Sequence, residues 1–155
     1  MRNSNLTPQQ KARSYAFLLL KFRLRSEKEL YTRLKNKKFD KEIVEQTIAF
    51  LKDKGFLDDT VFAKAWIESR LKKPFGLRRL SQELKAKGIS GEIIEANIGE
   101  IKKGYCEEEV VEQLAKERLA KLKSIEPLKA KQRVYGFLLR RGFSPAAAAE
   151  VIRRL

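Results

Sequence analysis

Histidine is missing altogether from the 155 residues. That removes most zinc sites, the Ser–His and Cys–His nucleophile systems, and imidazole acid–base chemistry. Only one cysteine is present, Cys106, so there is no disulfide framework, and a lone thiol fits a reducing compartment. Long apolar runs are lacking too: Tyr15–Leu20 is six residues flanked by charge, against the ~20 needed to span a bilayer. The first residues do not have the layout of a secretion signal, and a soluble, cytoplasmic protein is expected. Glycine-rich phosphate loops are absent, since Gly88-Ile89-Ser90-Gly91 reads as the end of one helix and the cap of the next. Asp58-Asp59 suits a helix N-cap better than a metal pair. Glu107-Glu108-Glu109 suits the first turn of a helix, where the dipole favours negative charge. Neither a metal nor a cofactor is expected, and the chain is not read as an enzyme.

Acidic residues are also scarce, 20 against 35 lysines and arginines, which leaves a net charge of +15. None precedes Glu27, whereas Arg2, Lys11, Arg13, Lys21, Arg23 and Arg25 do. Such an excess predicts a polyanionic partner: nucleic acid, an anionic membrane or an acidic protein surface.

What the chain does have is a pattern written three times. Leu80, Leu84, Gly88, Ile89, Ser90, Ile93, Ile94, Ile98 and Ile101 describe a helix end, a glycine break, an N-cap and a second amphipathic helix. Fifty residues earlier stand Leu30, Leu34, Phe39, Asp40, Ile43, Val44, Ile48 and Leu51. Fifty-four later stand Val134, Leu138, Gly142, Phe143, Ser144, Ala147, Ala148, Ile152 and Leu155. Near-constant spacing of this kind predicts a tandem helical repeat, and no β-sheet.

A third helix precedes each copy. The first runs from about Pro8 to Arg23, with Ala12, Tyr15, Ala16, Leu19 and Phe22 on its buried face. Phe17, Leu18 and Leu20 widen that face, so this helix is expected to be covered on two sides. Ser26-Glu27-Lys28-Glu29 reads as a capping box opening the next helix, with Glu29 reaching back to the Ser26 amide. Gly55 and Gly104 close units, Pro74 and Gly76 mark a loop, and Pro127 and Pro145 open helices. The expected division is a flexible N-terminus at 1–8, then three-helix repeats at 9–58, 59–104 and 105–155. Phe39, Ile89 and Phe143 are expected to plug the three cores. The architecture is thus all-α: three helix-turn-helix-like units in an elongated, curved array.

The ordered set Tyr15-Ala16 with Leu19 and Arg23, Arg25-Ser26-Glu27-Lys28-Glu29-Leu30, Gly55-Phe56-Leu57-Asp58-Asp59 with Phe62-Ala63 and Trp66, Gly76 with Glu83-Leu84, Lys87-Gly88-Ile89, and Arg140-Arg141-Gly142-Phe143-Ser144 resembles the bacterial RecX family. The resemblance covers residues 12 to 155. It implies a regulator that binds the RecA–DNA filament in its helical groove and inhibits strand exchange, ATP hydrolysis and co-protease activity, in recombination, DNA repair and the SOS response. With no long apolar run, no membrane partner is expected, and the protein is expected to be a monomer. The first copy departs from the pattern, with Lys37-Lys38-Phe39 where the later copies have glycine.

Basic clusters point to the contact residues. Residues 70–87 hold Arg70, Lys72, Lys73, Arg78, Arg79, Lys85 and Lys87 against one acid, Glu83. Residues 116–141 hold Lys116, Arg118, Lys121, Lys123, Lys129, Lys131, Arg133, Arg140 and Arg141 against Glu117 and Glu126. The candidates for binding the recombinase or single- and double-stranded DNA are Arg23, Arg25, Lys72, Lys73, Arg78, Arg79, Lys123, Arg140 and Arg141. The alternative is a sequence-independent helix-turn-helix-like DNA-binding protein acting without the recombinase. Against base reading, Gln46 and Gln82 stand alone, and no helix combines Asn, Gln and Arg at exposed positions.

Overall fold

A computed structural model describes residues 5–155; Arg2 and the rest of 1–4 lie outside the described residues. Among the described residues the chain is nine helices and no strand: α1 Pro8–Phe22, α2 Glu27–Asn36, α3 Lys41–Asp53, α4 Asp59–Leu71, α5 Leu77–Ala86, α6 Gly91–Lys102, α7 Glu107–Ala120, α8 Pro127–Arg140 and α9 Pro145–Arg154. Every substantial helix–helix contact lies inside one consecutive triplet. Each triplet closes over its own core: Leu30, Leu34, Val44 and Leu51 in the first, Ile67, Leu80, Leu84 and Ile94 in the second, Val111, Val134, Leu138 and Val151 in the third. Ile89 and Phe143 are buried at their turns, while Phe39 is half-buried. The accessible surface is 10375 Å2 for 18.0 kDa. A compact monomer of that mass would expose about 8,000 Å2, so the units are strung out rather than wrapped round a common core.

Local chemistry sets the helix boundaries. Thr7 and Gln10 form a reciprocal capping box ahead of Pro8, which fixes the start of α1 inside the segment read as flexible. Ser26, Ser90 and Ser144 each accept an amide hydrogen bond from the N3 residue. The capping box expected at Ser26 is only half made, because the Glu29 carboxylate turns to Arg23 rather than to the Ser26 amide. Helix ends carry left-handed residues, Gly55, Gly88 and Gly142, and in the first unit Lys38 at φ 72°.

Consecutive units meet end to end through a joint used twice. At the first, Ser26 at the N-cap of α2 donates its hydroxyl to the Lys87 carbonyl at the C-cap of α5, 2.7 Å away. At the second, the amide of Gly76, the N-cap of α5, donates to the Arg141 carbonyl at the C-cap of α8 at 2.8 Å, and Arg78 N–H to the Gly142 carbonyl at 3.2 Å. The positive end of one middle helix therefore faces the negative end of the next, and each supplies partners the other lacks. Contact is close enough that a Cβ on Gly88 would stand 2.5 Å from Lys28 Cβ, and one on Gly76 2.2 Å from the Gly142 oxygen. Among the described residues no joint is made at the Lys38 turn, which carries a side chain where the later turns cannot. At the far end Glu126 caps α8 with its own carboxylate, accepting from the Leu128 and Lys129 amides.

Two sequence expectations for α1 change. Ala12, Ala16 and Leu19 are buried as the periodicity requires, with Tyr15 and Leu20 packed beside them. Phe22, assigned to the core, is 76% exposed, and Leu18 is 51% exposed. The helix is covered on one side only, because end-to-end joints bring no second layer of helices against it.

Candidate nucleic-acid interface

The second joint gathers arginines. Arg78 and Arg79 lie in the first turn of α5, which contains no acid. Positive charge there opposes the helix dipole, a local conflict of the kind that function tends to impose. Arg140 ends α8 and Arg141 is its C-cap. Because α5 starts where α8 stops, the four arginines converge. Arg78, Arg79 and Arg140 line one hollow of about 340 Å3 with Gln82, Leu139 and Pro145. Arg140 also borders a second, of about 450 Å3, lined by Arg118, Lys121, Arg133 and the Phe137 ring.

Two aromatic rings organise the guanidinium groups. Phe75 is buried, and the guanidinium carbons of Arg79, Arg70 and Arg141 lie 4.0, 4.9 and 5.2 Å from its ring centroid. Phe137 receives Arg118 at 4.4 Å and Arg141 at 5.1 Å. Arg141 thus bridges the two rings across the joint. Contacts of this kind hold a cation at a fixed place while leaving its N–H groups free to donate.

One carboxylate serves the inner edge of the cluster. Glu83 accepts from Trp66 Nε1 at 2.9 Å, from Arg70 through Nε at 3.0 Å and through Nη2, and from Arg79 Nε at 3.3 Å. The Arg70 hydrogen bonds hold its carboxyl below the usual range although burial works the other way; Trp66 and Arg79 add to the lowering. Glu83 raises the Arg70 guanidinium in turn. Arg70 and much of Arg79 are therefore committed internally. Arg78, Arg118, Lys121, Arg133, Arg140 and Arg141 make no ion pair among the described residues. Six unneutralised cations around two shallow hollows suit a run of phosphates, which guanidinium groups meet with paired donors.

The remaining candidates fall elsewhere. Lys72 and Lys73 are exposed on the α4–α5 loop and border a separate hollow of about 240 Å3 with Phe75, Tyr105 and Glu117. Lys123 is exposed on the α7–α8 connection, in none of these hollows. Arg23 and Arg25 belong to the first joint and face Glu29, which also draws Lys87 to 3.6 Å. Burial works to raise the Glu29 carboxyl, but the Arg23 hydrogen bond and the Arg23 and Lys87 charges hold it below its ordinary value. Phe75, Phe137, Arg118 and Arg133 were not among the candidates, though Phe137 sits between Arg133 and Arg140-Arg141 in an interleaving of ring and cation that the sequence displays.

Among the described residues no group of three or more His, Cys, Asp or Glu side chains is arranged to hold a metal ion. None of their helices is long and apolar enough to cross a membrane.

Comparison with known proteins follows the same three-unit division. Models of the first, second and third three-helix domains of RecX match residues 12–51, 58–96 and 107–152. A regulatory protein RecX of Mycobacterium sp. (strain KMS) is 36% identical over 149 residues, covering 93% of this chain and 81% of the relative. Another, of Amycolatopsis mediterranei, is 34% identical and covers 92% of this chain and 82% of its own. The crystal structure of RecX from Lactobacillus salivarius superposes with a TM-score of 0.83 at 20% identity, covering 96% of both chains.

Proposed function

The chain belongs to the RecX family of regulatory proteins, and from that membership together with the arginine face at the second joint we propose that it regulates the RecA recombinase by binding the RecA–DNA filament. The array lies along the helical groove and contacts more than one recombinase subunit. Its unneutralised arginines meet DNA phosphates, and weak contacts from successive units add through avidity. Occupying the groove excludes the second DNA strand or disfavours filament extension, and strand exchange, ATP hydrolysis and co-protease activity fall. Both single- and double-stranded DNA are bound without sequence preference, because phosphate contacts carry no base information. The protein acts as a monomer, without cofactor and without catalytic activity of its own.

The observation that carries this reading is the convergence of Arg78, Arg140 and Arg141, with no ion pair among the described residues, from two different units at one joint. A scattered solvated surface would not place helix-start cations against the dipole. The plain DNA-binding alternative lacks a recognition helix with base-reading side chains. Mixing the protein with cognate RecA filaments and following ATP hydrolysis and strand exchange tests the proposal. Both should fall with added protein, and replacing Arg78, Arg140 and Arg141 by glutamine should relieve the inhibition. Undiminished ATPase and exchange at saturating protein would refute it.

A further inference from the structure

Six of the nine large hydrophobic side chains that stand exposed among the described residues fall between residues 17 and 61: Phe17, Leu18, Phe22, Leu24, Phe56 and Val61. Phe17, Leu18 and Phe22 share α1. Leu18 and Phe22 are one turn apart on the open face of α1, with Lys11 in the same row two turns back and Lys21 on the adjoining one. Phe17 borders the other edge and meets Phe56 edge-on at 5.0 Å between ring centroids. Folding leaves this surface partly open, Phe22 most of all, since the joints of the array lie at the ends of the middle helices.

We propose that this open face of α1 is a docking surface for an acidic, apolar segment of a partner protein, distinct from the arginine face that takes nucleic acid. Charge selects the partner. α1 contains Lys11, Arg13 and Lys21 and no acid, and none of the three makes an ion pair among the described residues. Shape and chemistry select protein over nucleic acid. Leu18 and Leu24 have no π-face on which a base could stack, whereas a large exposed Phe beside aliphatic groups and rimmed by cations is the make-up of a protein-binding anchor. Carboxylates on the segment pair with Lys11 and Lys21, and its apolar side chains cover Leu18 and Phe22. The surface deepens the filament reading, and rests on it, by giving the protein part of the nucleoprotein its own contact, in a different unit from the nucleic-acid contact that begins at Arg78.

The variant Leu18→Ala/Phe22→Ala removes apolar area without changing charge, and both residues are exposed, so its melting curve should match wild type. Two probes are used: cognate recombinase filaments on a labelled single strand, and a synthetic helix with Leu and Phe at i, i+3, i+4 and i+7 and glutamate elsewhere, with a lysine-for-glutamate control. Wild type should prefer the acidic peptide. The double variant should lose on the order of tenfold in affinity for peptide and filament, while binding to naked single-stranded DNA stays within about twofold. Equal loss on naked DNA would make the face a nucleic-acid surface and overturn the proposal. So would absence of any preference for the acidic peptide, or peptide binding that the variant leaves unchanged. Sedimentation with phosphatidylglycerol vesicles that only the wild type shows, without peptide preference, would assign the face to lipid and overturn it likewise. Peptide preference without filament binding would support the face and refute the filament reading alone.

Discussion

Single residues decide how the arginine face is held. Glu83 ties Trp66, Arg70 and Arg79 together from the middle of α5. Its replacement by glutamine should cost roughly 1.5–3 kcal/mol, the range for hydrogen bonds to a charged group. The effect is pH-dependent in a definite sense. The Glu83 pKa is lower in the folded protein than its ordinary value of 4.5, so its contribution is complete above pH 4.5 and is lost as pH falls through the folded value. Thermal melts of wild type should therefore drop more steeply on acidification below that point than melts of Glu83→Gln. Lys38 is the other residue to test. It occupies the left-handed region at φ 72°, and Lys38→Gly should stabilise the protein by about 1 kcal/mol in chemical denaturation, the strain relieved less the glycine entropy. The sequence exposes the Lys38 departure directly, because two other copies show glycine at that place. It does not expose Phe75, an aromatic residue between Pro74 and Gly76 whose buried ring meets guanidinium groups as far away as Arg141.

At the level of elements, periodicity and caps locate nearly every helix, since those signals are local. Layers are not local. The breadth of the apolar face on α1 implies two covered sides, yet Leu18 and Phe22 face solvent. An apolar residue pattern records which side chains need cover, not whether this chain supplies it. The joints are hidden for a related reason: Ser26 and Gly76 look unlike, one a side-chain donor and the other a backbone donor, though both receive the C-terminal carbonyl of a following middle helix. Gly76 has φ −79°, an ordinary value for any residue, so its requirement is space alone. A Cβ there would meet the Gly142 carbonyl oxygen at 2.2 Å, and Gly76→Ala should separate the second and third units. Limited proteolysis between residues 72 and 76 should accelerate, and guanidinium unfolding should become broader than a single transition. Gly91→Ala, with nothing within 4 Å of the added carbon, should change neither.

For the whole molecule, three small cores and two narrow joints make a surface much larger than a compact chain of this size would have. The net charge of +15 is not spread evenly over it. Carboxylates take up Arg23, Arg25 and Lys87 at the first joint, whereas at the second Arg78, Arg140 and Arg141 make no ion pair among the described residues. Which basic cluster stays open could not be read from the count of charges, because Glu29 and Glu83 each neutralise residues brought to them by packing. If the second joint holds DNA, its arginines must release counterions. Each phosphate contact on a single strand contributes about 0.7 to the fall of log K with log salt. Affinity of the wild-type protein and of the Arg78→Gln/Arg140→Gln/Arg141→Gln variant for single-stranded DNA, measured across a salt series, tests this most directly. The variant's slope should be shallower by about 2, the share of three phosphate contacts; parallel lines for the two proteins would contradict it.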